Sequence, residues 1–444
     1  MNTLLLRPTD TLFFRDGRPM GGSLAGHGAA WPLPNVLNAA LHAALHRAGE
    51  IFDDAHVHRP GRSSNRPAEA GRTRKFGSLV TAGPFPVDGT GHWFFPRPAD
   101  AQQAGTTKVT LRPTAPFGAS SLPEPLHYPV GNTEPPTKDK PEGWWSAAAW
   151  QEYLNLGQEK ATLEARSHFL NDTDFSDTEH HIGIGINPDT GTQDGTNIYS
   201  AHSLRLRQGW QLGTLADAMD KIGGDTADKR DLMATLFPNS GTETPVIVGG
   251  QQRICTARRE TPAVLPLPAG ATIHGKLIKW VLLTPAVFPQ IGDHHGGWLP
   301  SWISHIDGQV MLKAGDTARG EREGREVWRK RIAAMQPISA TLVAAITGKP
   351  IPVTGYALPN SADPDRTEGG AKPTHLAVPA GAVYYFECAS AEAAQALATA
   401  LNWHGSTPGT EIKNRRSTLM GEKGFGLGVC GTWDFPSRGA APNP

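Results

Sequence analysis

The chain has 444 residues, enough for two or three domains, and its 38% hydrophobic and 19% charged content excludes a disordered polypeptide. Lysine plus arginine (42) equals aspartate plus glutamate (42), so no net charge draws the chain toward nucleic acid or a membrane, although phosphate binding needs only a local basic groove. Cys255, Cys388 and Cys430 are too few and too far apart for a disulfide framework or a zinc ribbon, which fits a reducing compartment. Residues 1–6 meet Arg7-Pro8 too early for a signal-peptide apolar region, and no apolar run has membrane-spanning length, so a cytoplasmic protein is expected. The 50 glycines and 38 prolines make about a fifth of the chain, well above average usage, which predicts long loops around the core.

In chain order, the apolar run 3–6, closed by Pro8, predicts a buried strand. Residues 12–28 form a loop rich in Gly, Arg and Phe. A helix starts near Pro34, carries Leu37, Leu41, Leu45 and Ala48 at helical spacing, and stops at Gly49. Residues 56–75 hold Arg59, Arg62, Arg66, Arg72, Arg74 and Lys75 against Glu69, a basic loop. Residues 96–143 show no sustained period and read as a surface excursion, and 144–156 regain helical character. Strands are expected at 180–186 and 197–206, with turn chemistry at 187–191 between them. The polar stretch 220–239 is taken as the domain boundary. The second half repeats the grammar: strands at 245–249 and 276–283, a charged helix at 319–331, a strand at 383–388, a helix capped by Ser390, a basic Gly-rich loop at 414–426 and a last strand at 427–433. Two α+β units follow, 1–240 and 241–444, rather than one doubly wound sheet.

Several motifs carry chemistry. Gly426-Leu427-Gly428-Val429-Cys430-Gly431 matches G-x-G-x-x-G, but a dinucleotide site needs a strand before it and a helix after it. A Gly-rich turn into a strand is the plainer reading. A third is an anion nest, because glycines let backbone N–H groups approach a phosphate, with Arg415, Arg416 and Lys423 adding charge. Arg15-Asp16-Gly17-Arg18 is either a self-neutralising turn or a phosphate contact in which Asp16 orients one arginine. His180-His181 and Asp293-His294-His295 lack metal-ligand spacing. Alternating charges in 319–331 fit a salt-bridged solvent face or a partner-facing helix.

Taken together, several segments resemble one family. They are residues 7–19, ending Arg15-Asp16-Gly17-Arg18-Pro19; Pro32-Leu33-Pro34; His181-Ile182-Gly183-Ile184; Asn197-Ile198-Tyr199-Ser200; 282–288; Gly297-Trp298-Leu299-Pro300; 378–386; and Gly421-Glu422-Lys423-Gly424-Phe425-Gly426. In this order they resemble the third subunit of type III-B CRISPR (Cmr) effector complexes, of the RAMP superfamily. The resemblance implies two ferredoxin-like (RRM-like) domains with long loop insertions and a late Gly-rich loop. It implies a non-catalytic subunit that holds the 5′ handle of CRISPR RNA and contacts the large polymerase/cyclase-like subunit and the first backbone subunit, with no cofactor. Target recognition is left to base pairing. Tyr356 departs from an expected tryptophan. Residues 99–142 and the basic loop are both open as the source of the hairpin that pushes between guide nucleotides in such proteins.

The expected contacts are phosphates of the handle at Arg15 and Arg18, and a backbone nest at Gly424, Phe425 and Gly426 with Lys423 beside it. Arg415 and Arg416 stand behind them as further candidates. Two alternatives stay open. One is a repeat-processing endoribonuclease of the same fold using His27, His42 or His46. The other is a protein-only scaffold.

Overall fold

The computed structural model describes residues 1–17, 25–26, 29–48, 79–104, 107–115, 121–131, 141–156, 160–161, 168–187, 189–221, 229–238, 241–289, 297–315, 317, 320, 323–357 and 370–436. Two antiparallel sheets organise it. The first begins with β1 (Asn2–Pro8), followed by α1 (Pro34–Arg47) and β2 (Val80–Val87). The chain then makes a long insertion that includes α2 (Ala147–Leu156) and a hairpin, β3 (Ser176–Ile186) with β4 (Gln193–Leu206). It returns through β5 (Gln211–Asp217), α3 (Leu232–Leu236), β6 (Thr244–Ile247) and β7 (Ile254–Glu260). The strand order is β6-β7-β1-β5-β2. Without the added edge strand β6, this is the βαββαβ order of a ferredoxin-like unit.

The second sheet holds β8 (Leu277–Leu282), then α4 (Arg325–Ala334), β9 (Ala340–Ile346), β11 (Val383–Cys388), α5 (Ala391–Leu401) and β12 (Gly428–Thr432), with a short strand β10 (Ile351–Val353) outside it. Its order, β9-β11-β8-β12, is the same ferredoxin arrangement. The α+β class with ferredoxin-like sheets therefore stands.

The expected boundary at 240/241 moves. Strands β6 and β7 pair into the first sheet beside β1, with Leu6 opposite Ala257 and Val246 opposite Cys255. Within the polar, helical connection expected at 220–239, the described residues include α3, capped by the Asp231 carboxylate, which accepts from the Met233 and Ala234 N–H groups. The join between the sheets lies within 261–276.

Period-2 alternation explains how one core serves both sheets. In β1, Leu4 and Leu6 pack with Leu37, Leu41 and Leu45 of α1, whereas Leu5 faces the other way. In β8, Ile278, Trp280 and Leu282 pack with Leu397 and Leu401 of α5, whereas Val281 faces the other way. Leu5 and Val281 belong to one shared cluster with Phe85, Leu215, Tyr385, Trp145 and Trp150. Helices α1, α3 and α5 thus lie on the outer faces, and the inner faces meet around Trp145 and Trp150, supplied by the insertion.

Part of that insertion was expected to be a surface excursion. It is not: Asp100, Ala101 and Val109 are buried, and the Ala99 N–H donates to the Gly381 carbonyl at 2.8 Å, beside β11. Residues 56–75, the basic loop, lie outside the described residues.

Candidate nucleic-acid interface

The loop after β1 is fastened at several points. Leu12 and Leu204 exchange backbone hydrogen bonds of 2.7 Å, which ties the loop to β4. The Gly250 N–H donates to the Phe13 carbonyl at 2.9 Å. Asp10 is paired with Arg205 at 2.9 Å and with Arg253 at 3.6 Å. Phe14 is buried with Leu12 in the α1 core, so both anchor the loop, while Arg15 remains exposed. At Gly17 the loop presses on the second unit. A Cβ there would lie 2.1 Å from the Pro352 carbonyl oxygen, so only glycine fits against β10. Arg18 lies outside the described residues.

The Gly-rich loop arrives at the same place from the other side. A 3-10 turn, Gly421–Lys423, is followed by Gly424 (φ 94°) and Gly426 (φ 76°), both in the left-handed region that favours glycine. A Cβ on Gly424 would come within 2.9 Å of the Thr81 carbonyl oxygen in β2. Phe425 is fully buried with Val287, Val353 and Ala377. Val353 therefore joins the two loops: its backbone N–H lies against Gly17 and its side chain packs on Phe425. The structure brings Arg15 and the 421–426 turn to one region where the two units meet, with Lys423 half-buried at its edge.

The expected anion nest is corrected. The Gly424 N–H donates to Gly421 at 3.1 Å, Phe425 to Met420 at 3.3 Å and Gly426 to Pro285 at 2.8 Å, all backbone carbonyls. No amide among these three points at solvent with its donor free, so the glycines serve close packing.

Arg415 and Arg416 stand behind this surface. Burial pushes the Arg415 guanidinium down to about 10, against the opposing pull of Asp217 and Glu422. Its Nη1 donates to the Ile412 carbonyl at 3.3 Å. Burial likewise pushes Arg416 down to about 10. Arg416 Nε donates to the Ala400 carbonyl at 2.7 Å, at the C-terminal end of α5 where a cation is favoured, and Nη2 donates to Asn414 Oδ1 at 3.1 Å. Both arginines are half-buried and tied to backbone carbonyls, Arg415 to Ile412 and Arg416 to Ala400.

One constellation escaped the sequence reading. Asp100 accepts from Tyr153 Oη at 2.6 Å, Lys279 Nζ at 2.8 Å and Tyr385 Oη at 3.1 Å, with every partner buried. Lys279 Nζ also sits 3.9 Å above the Tyr153 ring centroid. Burial lowers the Lys279 pKa and Asp100 opposes that shift. The signal was available: a lysine inside the apolar strand 277–282 requires a buried acid. What it lacked was an address for that acid 179 residues away.

A strand, not a helix, follows Gly426, so the dinucleotide geometry is missing. Among the described residues no three His, Cys, Asp or Glu side chains come together as a metal site, and 293–295 lie outside them. His42 and His46 pack edge to face, centroids 4.8 Å apart, on α1, and His27 lies outside the described residues. No helix among the described residues is long and apolar enough to cross a membrane.

Two ferredoxin-like sheets share one core, and a Gly-rich loop leads into the final strand. A profile described as CRISPR-associated protein (Cas_Cmr3) matches residues 4–433, and the chain belongs to that family of Cmr effector subunits. Among solved structures it resembles a chain in the cryo-EM structure of the Type III-B Cmr-beta bound to cognate target RNA, with 12% identity, 86% of each chain covered and a TM-score of 0.42. A second such structure, with AMPPnP in state 1, gives 12% identity, the same coverage and a TM-score of 0.41. No curated relative matches.

Proposed function

We propose that this chain is a non-catalytic subunit that holds the 5′ handle of CRISPR RNA at the junction of its two units, and that it contacts the large polymerase/cyclase-like subunit and the first backbone subunit of its complex. The observation that carries this reading is the convergence of the first strand–helix loop and the Gly-rich loop at Val353. Arg15 contacts a handle phosphate from the exposed tip of the first loop, and Arg18 extends the same loop. Lys423 adds a point charge from the other side. Gly424, Phe425 and Gly426 act as the rigid seat that fixes this geometry, with Arg415 and Arg416 as its internal brace. Single-stranded RNA is held in this way by clamped phosphates and splayed bases.

The hairpin β3–β4 supplies the element that pushes between guide nucleotides. Pairing runs from Ser176 opposite Leu206 to Ile186 opposite Gln193, with a register shift between Ile184 and Ile186; Ile182 and Ile184 share one face, and the side chains of Ile182, Ile184 and Ile186 are exposed. Isoleucines left in water on a long hairpin fit a wedge against bases. The earlier candidate at 99–142 fits less well: Ala99 and Asp100, at its start, are fastened to Gly381 and Lys279 at the second sheet.

The test is incubation of the purified chain and its large-subunit partner with repeat-bearing guide RNA. The reading expects binding with the RNA intact and a salt slope that falls by about 0.7 for each phosphate contact removed in Arg15→Ala. A specific cut would make the chain an endoribonuclease. Retention of both protein partners with no RNA affinity would make it a protein-only scaffold.

A further inference from the structure

The first helix of a ferredoxin-like unit packs on its sheet, but α4 does not. None of its residues is buried. The face it would cover is filled by Leu299, Ile303 and Val310, which pack with Trp280 and Leu342 of the second sheet. The helix is thereby freed, and its composition fits exposure. Trp328, Arg331 and Ile332 form a half-buried inner stripe. Trp328 Nε1 donates to the Thr317 carbonyl at 3.0 Å, and Arg331 makes a two-point pair with Glu323 at 2.8 and 3.0 Å. Arg325, Arg329 and Lys330 are exposed to solvent, with Glu326 as the one carboxylate on the helix.

The location is separate from the handle region. Register places Gly428 opposite Leu282, so the Gly-rich loop enters the second sheet at that end. Ala340, where the chain enters β9 after α4, lies opposite Cys388, and Leu277 lies opposite Glu387. Those positions mark the other end of the sheet, and β9 and β12 are its opposite edges. A six-residue strand such as β8 spans roughly 20 Å.

We propose that α4 is a second RNA-binding surface, which takes the phosphodiester backbone of RNA through Arg325, Arg329 and Lys330. This rests on the reading that the chain works on RNA, and it goes beyond the handle. A helix that docks into a protein groove presents apolar anchors along one face. The outward face of α4 carries cations, and Val327 is the exposed large apolar side chain among its described residues. Charge without apolar anchors suits a polyanion whose affinity comes from counterion release. The strand bound is either the guide or the target, which share this chemistry.

The experiment compares wild type with R325E/R329E/K330E and with the neutral R325Q/R329Q/K330Q, each in the complex with its large-subunit partner. Binding is measured across a salt series to guide RNA alone and to guide paired with target. Circular dichroism verifies the fold of both variants, whose changes touch no buried residue. The expected result is a salt slope lower by about 2, at about 0.7 per contact for single strands, and weaker binding for the reversed than for the neutral variant. A loss with guide alone assigns the guide, and a loss only with the paired RNA assigns the target. An unchanged slope in both arms overturns the proposal, and so does loss of a protein partner with RNA binding intact. Absence of RNA binding by wild type would instead refute the handle reading itself.

Discussion

Lys279→Met tests the buried network that fastens the insertion to the second sheet. Lys279 and Asp100 are 3% and 0% exposed, so removal of the ammonium leaves a carboxylate in the core without its cation. Breaking a buried pair on one side costs about 3–5 kcal/mol. Tyr153 and Tyr385 continue to donate to Asp100, which places the expected cost near the lower end, about 3 kcal/mol. The double variant Lys279→Met/Asp100→Asn removes both charges and keeps an acceptor for the tyrosines. It should lie within about 1–2 kcal/mol of wild type, because replacing a buried pair with neutral groups is often close to neutral. Urea unfolding followed by tryptophan fluorescence provides the assay, since Trp145, Trp150 and Trp433 lie in the same shared core. A double variant as unstable as the sum of the two single ones would refute the argument, because the charges would then be acting independently.

Arg416→Ala removes the guanidinium that binds the Ala400 carbonyl; stability should fall by about 1–2 kcal/mol, with the RNA salt slope unchanged. Gly426→Ala combines a positive φ with a Cβ 2.0 Å from the Ser417 nitrogen, whereas Gly91→Ala meets only the strain of φ 89° with nothing within 4 Å. Thermal melts should show the first costing on the order of 3 kcal/mol and the second about 1 kcal/mol. Burial holds the His404 pKa below 6.5, against the opposing hydrogen bond from Nε2 to the Ala269 carbonyl. A depressed folded pKa means that the unfolded chain binds more protons, so this contribution is complete above pH 6.5 and is lost as pH falls toward the folded value. A neutral His404→Gln chain should show a flatter stability profile across that window.

Much of the fold was legible because it depends on local pattern. The leucines of β1 and α1 announce a strand and a helix at their own spacings, and 187–191 announces the hairpin turn. The sheet to which β6 and β7 belong was not legible, since strand pairing across more than 200 residues leaves no local trace. The same holds for 97–113. Its irregular backbone reads as loop, yet one aspartate carries it into the core. In the candidate interface, the glycines pointed to the right place for an incomplete reason. Their spacing marks close approach, and only the fold shows that the approaching group is the protein's own backbone at Thr81 and Ser417. Arg415 and Arg416 look like surface cations in a basic loop, yet both are half-buried and tied to backbone carbonyls.

The central claim is tested most directly by titrating the chain, bound to its large-subunit partner, with guide RNA bearing either the native or a scrambled 5′ handle. Wild type should be compared with Arg15→Ala/Lys423→Ala across salt. The account predicts tighter binding to the native handle, loss of that preference in the double variant, and a salt slope lower by about 1.4. Equal affinity for the two handles, or a variant that keeps the preference, would contradict it.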